Sequence, residues 1–239
     1  MSADPLLSVD SIDAGYGDTQ VLRDLSFSIE AGEIVSLVGR NGAGKTTTLR
    51  TIMGILQPTS GHVTYNGADI SALDATETAQ QGLALVPEER RIFPDLTVTE
   101  NLELAAHGGT ADDSLSVTEA LEMFENLRER AGNAGSSLSG GEQQMLAIAR
   151  ALVSGADLVL LDEPTEGLAP YIVQDVMDIV AALNERGITV LLVEQNVQVC
   201  LKLADRNYLV DQGQIVYEGT AAELEANEDV LDRYLGVTA

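Results

Sequence analysis

Residues Gly39–Thr46 read G-R-N-G-A-G-K-T, and the segments on either side decide how they fold. Upstream lies Ile34-Val35-Ser36-Leu37-Val38, an apolar run of strand type, and downstream Thr46–Met53 is helix-like. A strand, a glycine-rich turn matching G-x-x-x-x-G-K-[ST] and a helix, in that order, make a phosphate-binding loop. Gly39, Gly42 and Gly44 let the backbone wrap closely around phosphates and turn its N–H groups inward. The helix N-terminus adds partial positive charge. Lys45 is then expected to reach the β- and γ-phosphates, and Thr46 to offer its hydroxyl to Mg²⁺. Arg40, Asn41, Ala43 and Thr47 complete the expected nucleotide-binding segment. A glycine-rich turn with no ligand is the alternative. The complete motif in its strand–loop–helix setting favours a nucleoside triphosphate.

A second segment carries chemistry of the same kind. Leu158-Val159-Leu160-Leu161-Asp162-Glu163 is a buried-strand pattern ending in two carboxylates. An Asp at such a strand end holds Mg²⁺ in phosphate-binding enzymes, and a second carboxylate one residue later can accept a proton from attacking water. Taken alone, an Asp-Glu-Pro turn would be an equally good reading; behind a complete phosphate loop the catalytic one prevails. Leu138–Gln143 reads L-S-G-G-E-Q. By itself S-G-G-E is a helix N-cap, with Ser139 accepting an N–H bond and Glu142 answering it. Two glycines, a hydroxyl and a helix dipole also make an anion site.

Outward from these segments the pattern is α/β. Apolar alternation in Leu6–Ile12 and Val21–Ile29 predicts an N-terminal antiparallel β region, and His62–Tyr65 a further strand turning at Asn66-Gly67. Leu83–Val86 is a short strand stopped by Pro87. Leu158–Leu161 and Ile188–Val193 have the continuous apolar character of buried parallel strands, with a helix over Pro170–Arg186 between them. Capping boxes mark helix starts at Thr97…Glu100, Ser116…Glu119 and Ser139…Glu142. Strands are expected around Asp211-Gln212-Gly213, followed by amphipathic helices in Ala221–Leu235. The expectation is one domain over 1–239. Its ATP-binding core spans 1–87 and 154–239, and a helical subdomain spans 88–153, with flexible joints at Gly108–Ser114 and Gly132–Ser137.

The chain has 239 residues and a net charge of -25, from 38 acidic and 13 basic side chains. Such a surface repels phosphate backbones and argues against general nucleic-acid binding. Excess Asp and Glu with only two lysines, Lys45 and Lys202, has the look of adaptation to a high-salt cytoplasm, where charge repulsion is screened. No apolar run reaches the ~20 residues of a membrane span, and Met1-Ser2-Ala3-Asp4-Pro5 lacks the character of a signal peptide. Cys200, the only cysteine, is expected to pack within a helix.

The phosphate loop and the L-S-G-G-E-Q segment together resemble the nucleotide-binding subunits of ATP-binding cassette (ABC) transporters over nearly the whole chain. The resemblance implies an ABC ATPase fold with a RecA-like P-loop core. It implies ATP and Mg²⁺ as ligands and two subunits sandwiching two ATP molecules head to tail. Each site would take its phosphate loop from one chain and Ser139, Gly140, Gly141, Glu142 and Gln143 from the other. It further implies Tyr16 as the aromatic stacking on adenine, Glu163 as general base and Asp162 as the Mg²⁺ partner.

Three positions depart from the common pattern of that family. Glu88 stands after Pro87 where Gln is usual, and as an acid it can approach Mg²⁺ or water. Ala169 replaces a usual Asp. Gln195 stands where a His normally contacts the γ-phosphate; its amide can donate a hydrogen bond but does not titrate near neutral pH. His62 and His107 lie elsewhere and read as solvent-facing or structural.

Val86–Pro94, Glu163–Pro170 and Val193–Asn196 together look like the F-type (LivF-like) ATPase subunit of branched-chain amino acid importers. That subunit works with a second, different ATPase subunit, two membrane permeases and an external solute-binding protein, at the cytoplasmic face of the membrane. Subunits of urea and short-chain amide importers are closely similar, so the solute stays open. The stretch between Asn101 and Leu138 is shorter than usual for the group. Arg90, Arg91, Ile92 and Phe93 fall where the family receives a permease's cytoplasmic helix, although Phe93 can equally pack the subdomain core. Soluble cassettes of DNA repair usually carry a long coiled-coil insertion and those of translation two cassettes in one chain; neither is present, and the acidic surface opposes nucleic acid. A non-hydrolysing subunit, suggested by Gln195, is opposed by the intact Lys45, Asp162 and Glu163.

Overall fold

The computed structural model describes residues 4–108 and 115–235. Two sheets organise it. The first is antiparallel, in the order β2 (Thr19–Ile29), β1 (Leu7–Tyr16), β4 (Ser60–Tyr65), β5 (Ala68–Asp69). Tyr65 pairs with Ala68 across the Asn66-Gly67 turn, both of whose residues have positive φ (48° and 76°), as a tight hairpin requires.

The second sheet runs β10 (Gln214–Thr220), β9 (Arg206–Asp211), β3 (Ile34–Val38), β8 (Thr189–Glu194), β7 (Leu158–Asp162), β6 (Leu83–Val86). All of its pairs are parallel except β9–β10.

Successive residues of a strand face opposite sides, so a strand buried on both faces must be apolar throughout. Val35, Leu37, Leu158, Leu160, Leu191 and Val193 enter the core shared with the antiparallel sheet and α1 (Lys45–Ile52). Their neighbours Ile34, Val159, Leu161, Val190 and Leu192 enter a second core, under the helices. Those helices are α3 (Val98–Gly108), α4 (Val117–Met123), α5 (Glu125–Glu129), α6 (Gly140–Val153) and α7 (Pro170–Glu185), which follow the short α2 (Ala75–Ala79). The capping boxes expected at Ser116 and Ser139 form, as does the reciprocal bonding of Thr97 with Glu100. Asp74…Glu77 and Thr220…Glu223 form boxes too, at α2 and at α9 (Ala221–Glu225). Between β8 and β9 lies α8 (Val197–Leu203), and beyond α9 come α10 (Glu228–Val230) and a π-helical turn, Leu231–Leu235.

One expectation changes. Gly132–Ser137 is tied down rather than loose: Thr97 bridges Ala134, and Gly135 N–H donates to Leu96 O at 2.9 Å. A Cβ on Gly135 would lie 2.8 Å from Phe93 O, so glycine is there for close approach, not for mobility. The other expected joint falls, after Gly108, outside the described residues. Among the described residues, no helix is long and apolar enough to cross a membrane.

Candidate nucleotide site

The segments singled out in the sequence leave the sheet at one edge. The register aligns Val38 of β3 with Glu194 of β8, and Val193 of β8 with Asp162 of β7. The phosphate loop, the Gln195 loop, the Glu163 turn and the Pro87-Glu88 loop therefore all emerge from the C-terminal ends of neighbouring parallel strands, where ligands of open α/β sheets bind.

Lys45 is buried, and its Nζ donates to Gly39 O at 2.8 Å and Arg40 O at 3.1 Å. The same ammonium lies 3.1 Å from Glu163 Oε1. Gly42 and Gly44 have φ of 81° and 116°, which other residues rarely adopt. Gly39 serves a different purpose from the one expected: a Cβ there would come within 2.4 Å of Val210 O, so it lets the loop pack on β9. Arg40 and Asn41 are exposed, whereas Ala43 and Thr47 are buried beneath the loop.

Thr46 Oγ1 donates to Asp162 Oδ1 at 3.2 Å. Burial pushes Asp162 up to about 6 despite that bond, and the charges of Glu163 and Glu88 add to the shift. A hydroxyl and a carboxylate that is uncomfortable without a cation suit Mg²⁺, which prefers oxygen ligands and is usually held by one or two carboxylates plus substrate phosphates. No cluster of three or more acidic, His or Cys side chains able to hold a metal occurs among the described residues. Glu88 is exposed and shares with Thr46 and Asp162 the wall of a cleft of about 790 Å³.

Glu163 has φ of 46° and is nearly buried. Burial opposes its charge, yet a bond from Glu166 and the Lys45 ammonium hold it below the ordinary carboxylate range. Glu166 is raised to about 7 by that same bond and by the charge of Glu163. Glu166 carried no expectation from the sequence. Gln195, by contrast, is exposed beyond the end of β8. Tyr16 ends β1 and is 45% exposed, and its hydroxyl accepts from Arg50 Nη1 at 3.2 Å.

Ser139–Gln143 stands apart. Among the described residues, none of its hydrogen bonds reaches the phosphate loop. Ser139 is exposed, and its Oγ accepts from Glu142 N–H at 3.3 Å. Burial works against the charge of Glu142, but bonds from Ser139 and Arg130 keep its carboxyl low. Gln143 Nε2 donates to Gly135 O at 3.3 Å, within its own chain. Gly141 packs on Ile172 and Gly140 against the Arg90 guanidinium. Nearby, Phe93 is exposed and not in the subdomain core; the Arg150 guanidinium lies 4.6 Å above its ring. His62 and His107 are exposed, and Cys200 is buried in α8.

Residues 22–166 match the ABC transporter family. The chain belongs to that family. As an ABC ATPase it is 46% identical to the high-affinity branched-chain amino acid transport ATP-binding protein BraG of Pseudomonas aeruginosa, over 97% of this chain and 100% of that protein. It is 37% identical to the probable branched-chain amino acid transport ATP-binding protein LivF of Archaeoglobus fulgidus, over 97% and 99%. Among solved structures, a dimeric ATP-binding cassette bound to ADP and phosphate aligns with a TM-score of 0.79 and 28% identity, covering 90% of this chain and 98% of that one. Hydrolysis of ATP coupled to transport is the activity of this ABC ATPase family.

Proposed function

We propose that this chain is the ATP-hydrolysing subunit of an importer of branched-chain amino acids. In this reading it pairs head to tail with a second cassette and attaches to the cytoplasmic face of the membrane through two permease subunits, an external solute-binding protein delivering the cargo. The identity to BraG along the full chain supports the cargo class, and the dimeric neighbour supports the pairing.

The residues divide the work as follows. Lys45 and N–H groups of the Gly39–Thr47 loop other than those of Gly39 and Ala43, which bond to Glu194 O and Arg40 O, bind the β- and γ-phosphates, and Tyr16 stacks on adenine. Thr46 and Asp162 would hold Mg²⁺, with Glu88 on the same cleft wall, and the ion would supply positive charge to offset what develops on the phosphates. Glu163 accepts the proton of the attacking water, and Gln195 donates a hydrogen bond to the γ-phosphate. Ser139, Gly140, Gly141, Glu142 and Gln143 face the partner's ATP. Residues 88–153 act as a helical subdomain on a core of 1–87 and 154–239. A permease helix docks in the cleft beside Arg90, Arg91 and Phe93, the last offering an aromatic–arginine surface of the sort enriched at interfaces.

The observation that carries the catalytic part is Glu163, ion-paired to Lys45 and one residue after a carboxylate bonded to Thr46. Glu163→Gln should bind ATP normally and lose roughly 10²–10⁴-fold in turnover. Near-normal hydrolysis would reject Glu163 as the base. Lys45→Ala should instead weaken ATP binding itself. Uptake of labelled leucine against labelled urea by vesicles carrying the whole complex decides the cargo.

A further inference from the structure

The end of β8 carries a buried carboxylate, Glu194, that no role above uses. Only 2% of it is exposed. Among the described residues no ion pair reaches it; burial, and behind it the like charge of Glu163, hold its carboxyl above the ordinary carboxylate range. An unpaired buried charge is costly unless hydrogen bonds meet it. Here they meet it in part. Thr165 donates to Oε1 twice, from its N–H at 3.2 Å and its Oγ1 at 2.7 Å, and Asn196 N–H donates to Oε2 at 3.4 Å. The Glu194 carbonyl meanwhile accepts from Gly39 N–H at 3.4 Å. One residue thus touches the first residue of the phosphate loop, the turn after Glu163 and the residue after Gln195.

That turn needs holding. Glu163 has φ of 46°, a left-handed conformation that persists in a non-glycine residue only when its surroundings impose it. Its N–H donates to Val193 O at 2.9 Å on one side, and its carbonyl accepts from Glu166 N–H at 3.1 Å on the other. Thr165 lies between, fixed by Glu194.

We propose that Glu194 is a positioning residue for hydrolysis, its carboxylate clamping the strained Glu163–Thr165 turn to the Gln195 loop so that both move as one unit. The inference rests on the roles proposed above for Glu163 and Gln195.

Three substitutions in the assembled complex test it: Glu194→Gln, Glu194→Ala and Thr165→Val. Glutamine keeps an oxygen for Thr165 but turns its NH₂ toward Asn196 N–H; alanine loses every bond. Turnover should fall in the order wild type, Gln, Ala. The Ala variant should lose on the order of 10²-fold, the scale of an ångström's misplacement at a reacting centre. KM for ATP, and the full chain's affinity for ATP, should stay within about twofold, because a positioning group acts on turnover rather than on uniform binding. Thr165→Val and Glu194→Gln should be non-additive, since they weaken one contact.

Unchanged turnover in Glu194→Ala overturns the proposal. So does a loss of ATP affinity matching the loss of turnover, which would make Glu194 a general support of the phosphate pocket. If the Ala variant fails to fold, Glu194→Gln is judged by the same criteria. Glu163→Gln measured alongside separates the two failures. An active Glu163→Gln removes the base assignment and the clamp with it; a normal Glu194 variant beside an inactive Glu163→Gln removes the clamp alone.

Discussion

Asp162 is held where a carboxylate ionises reluctantly: buried and next to Glu163, with the Thr46 hydroxyl as its one side-chain hydrogen bond among the described residues. Its pKa rises from 3.8 to about 6. With the folded value above the unfolded one, the native state binds the extra proton, so stability falls as pH climbs from about 4 to about 6 and stays lower above. At 1.36 kcal/mol per unit the penalty near neutrality is of order 2–3 kcal/mol. Asp162→Asn should therefore raise the melting temperature in EDTA at pH 7.5, flatten the pH dependence between 4 and 6, and abolish hydrolysis. An Asn variant no more stable than the parent at pH 7.5 would show that Asp162 ionises without strain.

Gln195 gives a graded counterpart. A neutral amide supplies a hydrogen bond weaker than one from a charged donor. Gln195→Ala should slow the complex less than Glu163→Gln does, and Gln195→His should be tolerated. Equal losses in Gln195→Ala and Glu163→Gln would make Gln195 a principal catalytic group.

At the level of elements, α6 and α9 start with the same device. Ser139 with Glu142, and Thr220 with Glu223, form reciprocal capping boxes. Replacing either cap by alanine should cost about 1 kcal/mol in stability, read by denaturant unfolding. Only Ser139→Ala should also lower ATPase turnover in the assembled complex, because its exposed hydroxyl faces the partner's nucleotide in the proposed dimer. Equal ATPase in the two variants would leave Ser139 with the cap alone.

This pair also shows what the sequence could and could not disclose. The box is a local pattern, so the starts of α4 and α6 were legible from spacing, whereas the interface role proposed for Ser139 rests on the pairing of its segment with Gly39–Thr46. The phosphate loop and Asp162-Glu163 were legible because each ends an apolar strand. Glu194 ends the apolar run of β8 in the same way, but its partner Thr165 lies 29 residues upstream, and only the parallel register of β7 and β8 brings them together. Glu166 was hidden for another reason: its raised pKa arises from a carboxyl three residues away across a turn whose shape depends on the left-handed Glu163. Gly132–Ser137 misled because small and polar residues signal a loose loop, and the strand-like bridge from Thr97 to Ala134 is not a local feature.

Across the whole molecule the dominant quantity is charge. With 38 acidic and 13 basic residues, most carboxylates have no cationic partner to meet. Among the described residues, five of the 13 basic side chains are ion-paired: Arg206 to Glu33 and Glu218, Arg128 to Glu125, Arg130 to Glu142, Arg91 to Glu89, and Lys45 to Glu163. Near the C-terminal helices Glu218, Glu223, Glu228 and Asp229 share the walls of a single cleft. Such self-repulsion is long-ranged at low salt and destabilises the compact state. Its range shrinks from about 10 Å at 0.1 M to about 3 Å at 1 M. The melting temperature should therefore climb with KCl, most steeply below roughly 0.5 M, and level off once the screening length drops below the spacing of surface charges. Thermal unfolding from low to molar KCl reads this directly, with an uncharged osmolyte at matched osmolality controlling for preferential exclusion from the protein surface. Equal stability at both ends of the salt series would mean that the acidic excess is carried without strain, and the high-salt reading of the composition would fall.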